Sequence, residues 1–154
     1  MTRSSIEPLS HDAVRHIILN ARERDQIEAR AVLGNYDPEA LVEAIVAGQA
    51  HRGAYGAVYG GCALLTASYE TPRSVQVALI ATDAFNAIAL SVTRHVKRVV
   101  EPMLRAKGIT RAECRCWSEH YDARRWLSIC GAREEAEISG YGVNGETFIQ
   151  MAWS

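Results

Sequence analysis

The spacing of apolar residues changes twice between positions 50 and 107, and those two changes constrain the fold more than any other feature of the chain. Short runs of small and β-branched residues, Ala54 to Tyr59, Cys62 to Tyr69 and Val75 to Ala81, are separated by a Gly60-Gly61 turn and a Thr71-Pro72 loop. They read as an antiparallel meander of three strands. From Ser91 to Lys107 the spacing becomes helical, with Val92, Val96, Val99, Val100, Met103 and Leu104 on one stripe. A long helix is therefore expected to pack that stripe on the sheet. Pro102 lies inside it, and a proline there removes a backbone hydrogen bond at a cost of about 3 kcal/mol, which predicts a kink or a compensating contact.

Ile6 to Leu9 is a short strand before a helix capped by Ser10, with Ala13, Val14, Ile17 and Ile18 inward. A charged helix spans Arg22 to Leu33, with Ile27, Ala31 and Val32 as its buried stripe and Gly34-Asn35 as its end. A third helix starts at the Asp37 cap with Pro38 in its first turn, buries Leu41, Val42, Ile45 and Val46, and is expected to stop at Gly48. After Gly108 comes a strand, Arg111 to Trp117. A short helix capped by Ser118 follows, with Ala123, Trp126, Leu127 and Cys130 inward. Glu134 to Gly142 and Glu146 to Trp153 read as a hairpin turning at Asn144-Gly145. Gly53, Gly56, Gly60 and Gly61 read as turn residues rather than a phosphate cradle, since they do not open a helix.

One domain covering 1–154 is the expectation, with 48% hydrophobic residues to build a core. A formal charge of −1 removes the global basic field that nucleic-acid or membrane binding draws on. With neither an apolar leader nor a membrane-length apolar run, the expected location is cytoplasmic. Cys62, Cys114, Cys116 and Cys130 lack zinc-ligand spacing and are expected to be reduced core thiols, Cys114 and Cys116 on one face of a strand. Trp117, Trp126 and Trp153 read as core and hairpin aromatics.

The order strand, helices, meander, long helix, strand, short helix, hairpin resembles the GNAT N-acyltransferase superfamily, an α/β fold whose mixed, mostly antiparallel sheet is flanked by helices. Within it the chain is most similar to short GNAT-like proteins of phages and prophages, including podovirus internal virion proteins. The stretches that carry this are Ala21-Arg22-Glu23-Arg24-Asp25-Gln26-Ile27-Glu28, Leu79-Ile80-Ala81-Thr82-Asp83, Trp126-Leu127-Ser128-Ile129-Cys130-Gly131-Ala132 and Gly142 to Phe148.

The resemblance implies an acetyl-CoA site between two splayed strands, with Ile80, Ala81, Thr82, Ser91, Thr93 and Arg94 on the cofactor and an amine, on a small molecule or a protein, as acceptor. The stretch from Thr82 to Thr93, where the family places a glycine-rich pyrophosphate loop, contains no glycine. Position 127, where the family often has the tyrosine that reprotonates the leaving CoA thiolate, is leucine; Tyr121 is nearby and reads as a packing or surface aromatic. Candidate general bases are Glu28, Asp83 and His120. Each also has a plainer reading: Glu28 as a solvated helix residue, Asp83 as a turn residue, His120 as a surface histidine. Arg94, Lys97, Arg98, Arg105 and Lys107 likewise read either as phosphate contacts or as a solvated face. Two functions follow: an acetyl-CoA-dependent N-acetyltransferase with altered motifs, or a non-catalytic virion module for assembly or DNA ejection, with virion proteins as partners and a virion location. A homodimer paired through the last hairpin is a further expectation.

Overall fold

The computed structural model describes residues 5–154; the first four residues, which begin the stretch read for a leader, lie outside them. β1 (Ile6–Glu7) leads to Ser10, whose hydroxyl accepts from the Ala13 N–H at 3.2 Å and starts α1 (His11–Leu19). α2 (Glu23–Leu33) ends at Gly34 in the left-handed region. Its expected stripe is thinner than the pattern implied: Ala31 is buried, but Val32 is 45% exposed. α3 (Pro38–Arg52) begins at the Asp37 cap and runs past Gly48 to Arg52. A mid-helix glycine costs only about 1 kcal/mol, which the packing of Val42, Leu41, Ile45 and Val46 against α1 and the sheet offsets.

β2 (Gly53–Tyr59), β3 (Ala63–Thr71) and β4 (Ser74–Ala81) form the expected meander. Gly60 and Gly61 take the positive φ that its first turn requires. Gly56 is not a turn residue: a Cβ there would sit 2.7 Å from the Gln49 side chain and from Leu9. It is glycine because α3 and the chain before α1 press directly on the strand.

After a 3₁₀ turn (Asp83–Ala87) the long helix proves to be three pieces: α4 (Ala89–His95), a π-helical segment (Val96–Val100) and α5 (Glu101–Ala106). The Glu101 N–H bonds the Val96 carbonyl, an i to i−5 link that widens the turn just before Pro102. This is the compensation the proline demanded. β5 (Arg111–Trp117), α6 (Tyr121–Ile129), β6 (Arg133–Ile138) and β7 (Phe148–Trp153) complete the chain. His120, not Ser118, caps α6; its Nδ1 accepts from the Ala123 N–H. The last two strands are joined by a loop over 139–147, not a tight hairpin turn; Gly145, at φ 85, closes a local turn onto the Gly142 carbonyl.

One seven-stranded sheet runs in the order β1-β2-β3-β4-β5-β7-β6, antiparallel throughout except for β4 beside β5. α1 and α3 cover one face over Val58 and Leu64. On the other, Val92 of α4 and Trp126 and Leu127 of α6 pack with Cys114, Cys116 and Met151, while α5 covers Ala67 and Val75. The four cysteines are free thiols. The edge strand β6 carries Arg133, Glu134, Glu135 and Glu137, and charge on an edge discourages pairing with another chain. Among the described residues no helix is long and apolar enough to cross a membrane.

Candidate active site

β4 and β5 pair only at their start, over Ser74↔Arg111, Val75↔Ala112 and Gln76↔Glu113. Beyond Gln76, β4 stays with β3 as far as Ala81, while β5 stays with β7 as far as Trp117. The two strands therefore part, and a groove of about 320 Å³ opens between them. Glu28 and Val32 of α2 and Ile80 line it on one face, and Val77, Val96 and Trp126 on the other. Residues two apart on a strand point their backbone groups the same way. Ala81 turns its N–H to Asp25 Oδ2 (2.9 Å) and its C=O to the Arg22 N–H (2.8 Å). Leu79 therefore presents its N–H and C=O to the same side, beyond the end of the β5 ladder.

Arg22, Asp25 and Glu28 recur at i, i+3 and i+6, which places them along one side of α2. The Arg22 guanidinium grips Asp25 through two bonds of 3.0 Å and lies 5.5 Å over the Phe85 ring. His120, 1% exposed, lies 2.6 Å from Asp25 Oδ1 through Nε2. Because His120 Nδ1 accepts from Ala123, Nε2 carries the proton and donates to the carboxylate. Burial pushes the Asp25 pKa up, but the bonds from His120, Arg22 and the Ala81 N–H outweigh it and hold the carboxyl below its ordinary value. The cluster bolts α2 to the ends of β4 and of the β5–α6 connection, with every partner satisfied.

Glu28 is different. It faces the groove, and burial raises its pKa to about 7, only partly countered by the neighbouring His120, a bond from the Trp117 N–H and the charge of Arg22. The Cys116 thiol lies 4.0 Å from its Oε2. That thiol is itself pushed well up by burial, so it is a packing group and not a nucleophile. A carboxyl that titrates near neutrality at the wall of a groove can take a proton from a bound amine. Tyr55 also reaches the groove, and its hydroxyl is chained to Tyr59 (2.8 Å) and on to His95 Nδ1 (3.0 Å).

The structure gathers some of the expected site residues and disperses others. Glu28 and His120 belong to one cluster on either side of Asp25, neither solvated as the plainer readings had it. Asp83 is exposed at the start of the 3₁₀ turn, away from the groove. Ile80 lines the groove and Ala81 is bonded to α2. Thr82 caps the 3₁₀ turn through the Ala84 N–H. Thr93 is buried, donating to the Ala89 carbonyl and accepting from Trp126 Nε1. Ser91 is half-buried and Arg94 exposed on α4. Leu127 is buried on the groove wall, and Tyr121 is 60% exposed beneath Arg24. The roles of Arg22 and Asp25 were missed, although the R-x-x-D-x-x-E spacing on a weakly apolar helix was the available signal. Arg115, on the same groove, carried no sequence signal.

The fit of an acyl-CoA differs along β4. An acyl thioester fits between the parted strands, where Leu79 leaves a donor and an acceptor open. The nucleotide end does not fit the family pattern: Phe85 and Ile88 of the glycine-free stretch are buried in the core, Phe85 edge-on to Trp126 at 5.6 Å, and the Ala81 edge is covered by α2.

No protein-family model and no curated protein sequence matches the chain. Solved structures do. An N-acetyltransferase of Staphylococcus aureus superposes with a TM-score of 0.74 at 10% identity, over 99% of each chain. The Ard1 protein of Thermoplasma volcanium gives 0.73 at 13%, over 99% of this chain and 97% of that one. A spermidine N-acetyltransferase of Vibrio cholerae, solved with CoA and spermine, gives 0.71 at 14%, over 99% and 96%. The chain has the fold of the GNAT N-acetyltransferases.

Proposed function

We propose that the chain is an N-acyltransferase that uses the groove between β4 and β5 to bring an acyl thioester to an amine, with Glu28 as the general base. The observation that carries this reading is the parting of the two strands with a near-neutral carboxyl at its wall. A thioester supplies the activated carbonyl. The residues of this chain do the rest: the open backbone of Leu79 holds the acyl arm, the apolar walls exclude water, and Glu28 takes the proton that an ammonium must lose before its nitrogen can attack. Acetyl-CoA is the donor to test, because structural neighbours were solved with acetyl-CoA or CoA.

A second reading, a non-catalytic interaction module, draws on the covered Ala81 edge and the buried Phe85. Two measurements separate them. About 1 mM acetyl-CoA should raise the thermal midpoint by several degrees if it is near 100 times its Kd, and amine-dependent thiol release should fall on the order of 100-fold or more in Glu28→Gln. Neither a shift nor any release across a panel of primary amines would leave the interaction module as the surviving reading.

A further inference from the structure

The charges on the groove wall cancel except at two places. Arg22 is paired with Asp25, Arg105 with Glu101, and Arg111 with both Glu113 and Glu135. Glu28 and Arg115 line the same groove and enter no ion pair among the described residues. Arg115 is nevertheless held in place: its guanidinium stacks 5.1 Å over the Tyr141 ring, and Nη1 donates to the Tyr141 hydroxyl at 3.3 Å. Tyr141 belongs to the 139–147 loop, which is tied to α2 where the Val143 N–H bonds the Ala31 carbonyl at 2.8 Å. Next to that tie, Val32 and Leu33 are 45% and 57% exposed and also line the groove.

A groove with one unpaired cation, one unpaired carboxylate and otherwise apolar walls is complementary to a small zwitterion with an apolar body. Resting on the acyl-transfer reading above, we infer that the acceptor is a free α-amino acid with an apolar side chain. Its ammonium meets Glu28, its carboxylate meets the planar donor fork of Arg115, and its side chain covers Val32 and Leu33. The proton balance is direct. The ammonium gives one proton to the Glu28 carboxylate, leaving a neutral amine and a protonated Glu28; the amine then forms the C–N bond as the thioester C–S bond breaks, and the sulfur leaves as a thiol carrying the second proton lost by that nitrogen. A polyamine would present several cations to a wall with one open carboxylate and one open cation. A peptide N-terminus would bring an amide where Arg115 calls for a carboxylate.

The test is calorimetric binding, without any donor, of L-phenylalanine, L-phenylalaninamide, 3-phenylpropanoate and spermidine. L-Phenylalanine should bind at least tenfold more tightly than each of the other three. Arg115→Ala should erase its advantage over the amide while leaving the amide's own affinity unchanged, and Arg115→Lys should restore only part of it. Arg115 is exposed, and the Val143–Ala31 bond still ties the 139–147 loop to α2 without it, so neither change threatens the fold. Equal affinity for acid and amide, no effect of Arg115→Ala, tighter binding of spermidine or no binding of L-phenylalanine would each overturn the inference. Acetyl-CoA titrated into the same samples keeps the two failures apart: a donor-dependent shift without amino-acid binding removes the acceptor assignment alone.

Discussion

Glu28 is placed where stability and chemistry oppose each other. Its ordinary pKa of 4.5 is raised to about 7 in the folded chain, first by burial. The fold therefore binds a proton that the unfolded chain has released between those values. The linkage sign follows: the Glu28 contribution to stability is full below about pH 4.5 and is lost as pH rises through 7, by at most about 3 kcal/mol. Glu28→Gln should therefore raise the thermal midpoint at pH 8, with the gain vanishing near pH 4.5, while transfer is lost. In the wild type, transfer should rise with pH through about 7 as the base form appears. A midpoint difference independent of pH would contradict the assignment. Asp25 behaves in the opposite way, since its carboxylate balances the Arg22 charge and accepts from buried His120. Asp25→Ala should cost about 3–5 kcal/mol in chemical denaturation. Neither role was legible from composition. The i, i+3, i+6 spacing of Arg22, Asp25 and Glu28 was visible, but a charged helix face reads as solvated until the elements packed on it are known.

Among the elements, the long helix shows how far local pattern reaches. Its valine stripe placed the segment on the sheet and Pro102 announced a defect, yet the π-helical form of that defect is a compromise between the stripe and the missing N–H. Because the i to i−5 link already absorbs the proline, Pro102→Ala should change stability by less than about 1 kcal/mol, against the roughly 3 kcal/mol expected of an interior proline. Urea denaturation decides it, and a gain of the larger size would show that the π segment leaves the cost standing. Gly48 and Asn144-Gly145 misled for a related reason. Both are strong local stop or turn signals, but α3 is held by its packing, and the 139–147 loop is set by its ties to α2 and Arg115. Ser118 lost the cap of α6 to His120, whose imidazole reaches both Ala123 and Asp25.

For the molecule as a whole, element order was legible because each change of periodicity marks a change of element, and that order carries the fold. The parting of β4 from β5 was not, since it depends on where β7 takes over the far edge of β5. The glycine-free stretch after β4 is plain in the sequence; its consequence, Phe85 in the core, depends on the edge-on packing of Trp126 from α6. If the parted strands hold the acyl donor, mapping acetyl-CoA onto backbone amides by NMR will locate it there. Shifts should concentrate at Val77 to Ile80 and Cys114 to Cys116, with the Ala81 amide, which Asp25 holds, left in place. Shifts confined to other surfaces, or none at millimolar ligand, would contradict that placement.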